Sequence, residues 1–273
     1  MEIIEPNVEY WKQGDDVNAH IARCARVCYA SLKTTNNDNF VDSLIHNKHL
    51  SMLRHATCYY VIAVPKKEYA AIRMILRAYK HCPYIEYDVI NGVIYISANR
   101  QFIFEHLDLN NFIHYYEVSE DIFFYKCPNK DLFRFTFCVT TQISTSRELN
   151  RVSPNNIAEQ STRYINFGKK GGIKICKPFW YDTLTKFDKW RCRAYWWLSE
   201  KLYNAFLYRG LKPQDVREFL PLCAATKCIY TYTLKEWKHI LDLRYYGTTG
   251  TPHPNAKLIA GMINDKLKSL GYE

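Results

Sequence analysis

The stretch richest in chemically useful groups runs Ser146-Arg-Glu-Leu-Asn-Arg-Val-Ser-Pro-Asn-Asn-Ile-Ala-Glu-Gln-Ser-Thr-Arg-Tyr164. On a helix, Arg147, Glu148 and Arg151 share one side, because Arg151 follows the other two by four and three residues. After the Pro154-Asn155-Asn156 break, Ser161 and Arg163 point the same way if the segment is extended. Two guanidiniums and a hydroxyl are the groups that hold a phosphate through directed donors. Two further arginines stand near helix ends, Arg217 before Leu220-Pro221 and Arg244. Arginines so placed also make plain surface ion pairs, and composition alone favours that reading.

The whole chain is consistent with an anionic ligand. Its 273 residues carry 37 Lys and Arg against 27 Asp and Glu, a net charge of +10. This surplus suits nucleic acid, lipid or phosphorylated small molecules. No zinc-finger or RNP pattern supports the first, so no nucleic-acid partner is expected. No run of 18 apolar residues supports a membrane span, and the start Met-Glu-Ile-Ile-Glu-Pro lacks the basic and apolar parts of a secretory signal. A cytoplasmic protein is the expectation. The ten Cys include no CxxC pair, and Cys24 and Cys28 have no second pair nearby, so buried free thiols are expected and no metal site. The 22 Tyr can serve both a core and the stacking of flat ligands.

Helical spacing is seen over residues 17–30, 38–47, 68–80, 100–108, 142–151 and 254–270, with a short helix at 237–243. The longest helix is expected over 188–208, where Ala194, Leu198, Leu202 and Phe206 recur every four residues and Gly210 can close it. Pro213 can start the next helix, which Pro221 ends. Strands are expected in the second half of 50–64, at 93–97 and at 133–140. Residues 109–130 look less regular and are expected to form a family-variable excursion. No P-loop, GxGxxG or βαβ rhythm is present. The class expected is α+β, a small sheet packed with helices, in one domain over residues 1–273.

Several blocks together resemble the flavin-dependent thymidylate synthases. That family's signature is Arg-His-Arg, seven residues, then Ser-x-Arg-Tyr. Here Arg151-Val152-Ser153 is followed after seven residues by Ser161-Thr162-Arg163-Tyr164. Similar to other family segments, in the same order, are Cys28-Tyr29-Ala30-Ser31, Ser51-x-x-Arg54-His55, Tyr95-Ile-Ser-Ala-Asn99, Arg217-Glu-Phe-Leu-Pro221, and the run from Thr233 through Trp237 and His239 to Arg244. The sequence departs from the family at Val152 and Ser153, which replace the central His and second Arg, and at Arg54, where Glu is usual.

The resemblance implies conversion of dUMP to dTMP, with methylene tetrahydrofolate as carbon donor and NADPH-reduced FAD as hydride donor. It implies a homotetramer with sites shared between subunits, and a fold of that family's type. It places Glu148, Arg151, Ser161, Arg163, Arg217 and Arg244 on the substrate, with Arg244, Ser161 and Arg163 in the catalytic group. It places His55, Asn99, Arg151, Glu159 and His239 at the cofactor. A divergent pyrimidine-nucleotide one-carbon transferase of the same fold, for example a hydroxymethylating one, and a non-catalytic nucleotide-binding relative remain alternatives.

Overall fold

A computed structural model describes residues 1–29, 36–63, 68–152 and 156–272. The first part of the chain comprises β1 (Glu2–Ile4), β2 (Asn7–Tyr10), α1 (Val17–Tyr29), α2 (Asn37–His46), a 3-10 turn at Leu50–His55, and β3 (Thr57–Ala63). Then come α3 (Tyr69–Ala78), β4 (Ile85–Ile90), β5 (Val93–Asn99), α4 (Arg100–Glu105), α5 (Leu107–Ile113), β6 (Glu117–Val118) and α6 (Glu120–Lys126). β7 (Arg134–Gln142), α7 (Ile143–Asn150), β8 (Ile157–Glu159), β9 (Lys174–Cys176) and α8 (Lys186–Tyr208) follow. The last part holds α9 (Pro213–Val216), β10 (Ala225–Thr233), α10 (Leu234–Leu241), a π-helical turn at Asp242–Tyr246, and α11 (Pro254–Ser269).

The class is mixed α+β, as the sequence implies. Two four-stranded antiparallel sheets carry it, one in the order β2-β7-β10-β8 and the other β4-β5-β3-β6, and β1 pairs in parallel with β9. In the first sheet Thr136 lies opposite Thr231 and Cys138 opposite Ile229. β7 is aromatic and β-branched, and all of it is buried except the half-buried Thr140, as befits a central strand. Its Phe135 and Phe137 join Phe133, Tyr230, Tyr232, Trp237, Ile259 and Ile263 in the largest core. The Trp237 indole N–H donates to the Phe135 carbonyl at 3.0 Å, so this large side chain is buried with its polar atom satisfied. The second sheet packs Tyr60, Ile62, Ile94 and Ile96 against Ile72 and Leu76 of α3 and Phe102 of α4. A third cluster sits under α8, around Trp196 and Tyr203.

The expected helices and strands appear with ends shifted by a few residues, and three differences have clear causes. The helix foreseen over 100–108 is broken into α4 and α5, because His106 leaves helical dihedrals at φ −116° and ψ 70°. Residues 109–130 are more regular than they read. Ser119 caps α6 by accepting from the Ile122 N–H, and Leu109, Ile113 and Phe123 are fully buried. Besides the three expected strands the chain forms β1, β2, β4, β6, β8, β9 and β10, which no sequence expectation covers. Ala30, Ser31, Val64, Ser153, Pro154 and Asn155, which enter the readings above, lie outside the described residues. All ten thiols are free. Among the described residues no helix is long and apolar enough to cross a membrane.

Candidate functional site

Helix α7 organises the site. Gln142, the last residue of β7, is its N-cap position, and the Gln142 side-chain oxygen accepts from Thr145 Oγ1 at 3.0 Å and from Asn255 Nδ2 at 2.6 Å. The backbone N–H groups of Ile143 and Ser144 donate to the carbonyls of Ala224 and Leu222. These bonds fix α7 to the end of the main sheet, to the start of α11 and to the segment before β10. Leu149 anchors its inner face.

The two polar faces of α7 differ. Inward, the Glu159 carboxylate on β8 accepts from Ser146 Oγ at 2.8 Å, Asn150 Nδ2 at 3.3 Å and Thr226 Oγ1 at 3.1 Å. Asn150 accepts in turn from the Tyr230 hydroxyl at 2.8 Å. Three donors satisfy this carboxylate within the chain, so Glu159 is engaged in joining α7, β8 and β10. Outward, Arg147 and Arg151 are exposed.

Arg147 enters a cleft of about 450 Å³ that it shares with Ile143, Thr162, Arg217, Glu218, Leu220 and Leu222. Arg217 is delivered by the 3-10 turn that follows α9, and its Nε stands 3.9 Å from Glu218. Arg147 has no ion pair among the described residues. Thr162 comes from a loop tied down by Ser161, whose N–H donates to the Cys28 carbonyl at 2.9 Å. The Ser161 hydroxyl accepts from the Arg163 N–H at 3.2 Å, within its own turn. Arg163 extends along the Tyr164 ring at 5.4 Å and donates through Nε to Gln214 on α9 at 3.4 Å. It therefore lies beside the turn that carries Arg217. Two guanidiniums and a hydroxyl on a cleft with Ile and Leu walls can hold a phosphate and a partly apolar group attached to it.

Arg244 arrives from the other side. It sits in the π-helical turn that continues α10, and its Nε donates to the Glu148 carbonyl at 2.9 Å. That bond fixes the side chain at α7 and leaves its terminal N–H groups for another acceptor. π-helical turns recur at functional sites because they redirect one side chain out of the helical register. The structure thus brings Arg147, Arg217 and Thr162 into one cleft, with Arg163 beside its wall and Arg244 on the backbone of Glu148. No sequence signal marks Thr162, and the resemblance does not place Arg147 on the substrate, although it stands one turn before Arg151.

The other expected residues lie elsewhere. His55 is 1% exposed, with Nδ1 2.9 Å from Thr231 Oγ1. Thr231 continues to Thr136 at 2.9 Å, and Thr136 to His20 Nε2 at 3.3 Å. Burial lowers His55 to about 3, helped by the neighbouring His20 ring and the positive charges of Arg134 and Arg54. Burial likewise lowers His20 to about 4. Both rings are neutral near pH 7. Asn99, also 1% exposed, caps α4 by accepting from the Phe102 N–H at 2.8 Å. His239 is exposed on α10.

For the FAD that the resemblance implies, the fit is partial. Arg151 and His239 are exposed, and neither side chain has a hydrogen bond or ion pair among the described residues. Their chemistry suits an anionic dinucleotide. His55 Nε2 and Asn99 Nδ2 are polar atoms without a partner, but both are sealed inside the chain, and association with other copies only adds burial. Val152 packs into the main core at 5% exposure and offers nothing to a ligand.

A model of the family described as thymidylate synthase complementing protein matches residues 131–269, which contain α7, the arginine cleft and the π-helical turn. No curated protein matches the sequence. Among solved structures, the chain is similar to a UMP/dUMP methylase, PolB from Streptomyces cacaoi, bound with 5-Br dUMP. That match has 14% identity, covers 99% of this chain and 93% of that one, and has a TM-score of 0.45. The same enzyme bound with 5-Br UMP matches at 15% identity, 99% and 92% coverage and a TM-score of 0.47. Likeness at this level carries no inference about activity.

Proposed function

The chain belongs to the thymidylate synthase complementing protein family, and from that membership we propose that it is a flavin-dependent thymidylate synthase acting on dUMP. In this reading methylene tetrahydrofolate donates the carbon and NADPH reduces the FAD. The observation that carries the substrate class is the cleft shared by Arg147, Arg217 and Thr162. A nucleotide phosphate takes the two guanidiniums and the Thr162 hydroxyl, and Leu220, Leu222 and Ile143 flank the sugar. Ser161 orders the loop that presents Thr162, and Arg163 supports the wall through Gln214.

Adding a one-carbon unit at C5 of uracil requires an electron-rich ring. A guanidinium against a ring carbonyl stabilises the negative charge that grows on that oxygen. Arg244 is the residue we assign to this, because its Nε is already held by Glu148 and the side chain needs little further ordering. Bound reduced flavin supplies hydride, and Arg151 and His239 are the groups of this chain free to hold it. No cysteine nucleophile enters this scheme. Burial raises the Cys28 and Cys223 thiols to about 11, so neither is a thiolate near neutral pH.

The protein is proposed to act as one domain per chain, as a cytoplasmic homotetramer with small-molecule partners only. The exposed stripe Phe187, Trp190, Trp197, Leu198 and Leu202 along α8 supports self-association, since solvated monomers seldom leave such a row bare. The buried Val152 favours a second reading, a divergent one-carbon transferase on a pyrimidine nucleotide, because the centre of the signature lacks its polar groups. Calorimetric titration with dUMP tests the shared basis of both. Arg147→Ala and Arg217→Ala should each weaken binding about 10- to 100-fold, the range for losing hydrogen bonds to a charged group. Unchanged affinity in both variants refutes the cleft assignment. The absorption spectrum of the purified protein, followed by FAD titration, tests the cofactor separately.

A further inference from the structure

A basic cleft lies where α11 ends, and it shares no lining residue with the arginine cleft. Gly271 adopts φ +85°, and the Tyr272 N–H returns to the Leu267 carbonyl at 3.0 Å. This turn folds Tyr272 back against Phe135, with ring centroids 4.8 Å apart, and Phe133, at 5.9 Å. Lys130 places its ammonium 5.5 Å from the Tyr272 ring centroid. Lys130, Lys238 of α10 and Lys268 of α11 line a cleft of about 370 Å³ with Leu234, Gly271 and Tyr272. Among the described residues the one carboxylate paired with them is Asp131, 3.4 Å from Lys238. Lys130 and Lys268 have no ion-pair partner among the described residues, so only one of the three ammoniums is paired.

Lysine ammoniums act as separate point charges without the planar fork of arginine. Three of them around one cleft match an anion whose charge is spread over several groups better than a single phosphate. We propose that this cleft binds the oligophosphate group of a soluble ligand, with the Tyr272 ring as its apolar wall. The proposal does not rest on the thymidylate synthase reading.

The test is calorimetric titration with inorganic tripolyphosphate on the Arg147→Ala, Arg217→Ala variant, which removes the arginine cleft. Binding should persist, weaken as salt is raised, and fall about tenfold or more when Lys130→Gln and Lys268→Gln are added. The urea midpoint should stay as in the parent, which shows that the fold is intact. Tripolyphosphate affinity unchanged by the two lysine substitutions overturns the proposal. So does complete loss of tripolyphosphate binding in the arginine variant, which would assign all of it to the arginine cleft.

Discussion

Arg147 and Arg163 differ in what surrounds them, and this sets their expected weights. Arg147 points into the cleft without an ion pair among the described residues, whereas Arg163 is spent partly on Gln214 and on its own Tyr164. Arg147→Ala should therefore cost more nucleotide affinity than Arg163→Ala, and calorimetry on the two variants checks the order. Arg244→Ala should lower kcat far more than it weakens dUMP binding, because charge on the ring carbonyl develops as the ring reacts. The buried histidines yield a pH dependence. Both titrate near 6.5 when unfolded but near 4 for His20 and 3 for His55 in the fold. In that window the unfolded chain binds more protons, so their contribution to stability is lost as pH falls below about 6.5. Burial of Glu120 raises it to about 7 and works in the opposite direction, its cost appearing as pH rises above 4.5, and Glu236 is raised as well. Removing one histidine isolates its share. In urea unfolding between about pH 5 and 6, His55→Gln should flatten the slope of stability with pH by about 1.2 kcal/mol per pH unit, and His20→Gln by slightly less. An unchanged slope in both would mean that these rings are not held neutral.

The helices that carry the site depend on their ends. Thr233 accepts from the Glu236 N–H at 3.2 Å while Glu236 accepts from the Thr233 N–H at 2.7 Å, a capping box that starts α10. Thr233→Ala should cost about 1 kcal/mol of stability, read as a lower urea midpoint. Gly247 ends the π-helical turn at φ +74°, and a Cβ there would stand 2.9 Å from both the Gly250 carbonyl oxygen and Pro252 Cδ. Gly247→Ala should cost more than the cap, roughly 2 kcal/mol, and should disturb Arg244 as well. The helices α1 and α11, with one buried face each, were legible in the sequence by their spacing, and β7, buried on both faces, by its run of aromatic and β-branched residues. β10 was not, because seven of its nine residues are buried on one face or the other, and such a strand shows no polar alternation. The same limit applies to the site. Arg217 and Arg244 could be picked out by their segments, but the burial of His55 is decided by Thr231, 176 residues away. The cleft likewise joins Arg147 to Leu220 and Leu222 at the end of the paired strands β7 and β10, a meeting that no local spacing shows.

For the whole molecule, the aromatic stripe on α8 predicts assembly. Light scattering at low micromolar concentration should give about four times the chain mass, and Trp190→Glu with Trp197→Glu should lower that mass. Those two side chains are exposed in the chain, at 62% and 54%, so the substitutions should leave the fold of each subunit intact. A parent protein that is monomeric and fully active would reject the shared-site reading. The most direct measurement is anaerobic turnover with dUMP, methylene tetrahydrofolate, FAD and NADPH, with the nucleotide product read by mass spectrometry. A flavin-dependent thymidylate synthase gives a product heavier than dUMP by one methyl group, lost when FAD is withheld and lost in Arg244→Ala. No product from dUMP, although the protein is assembled and binds the nucleotide, would contradict that assignment.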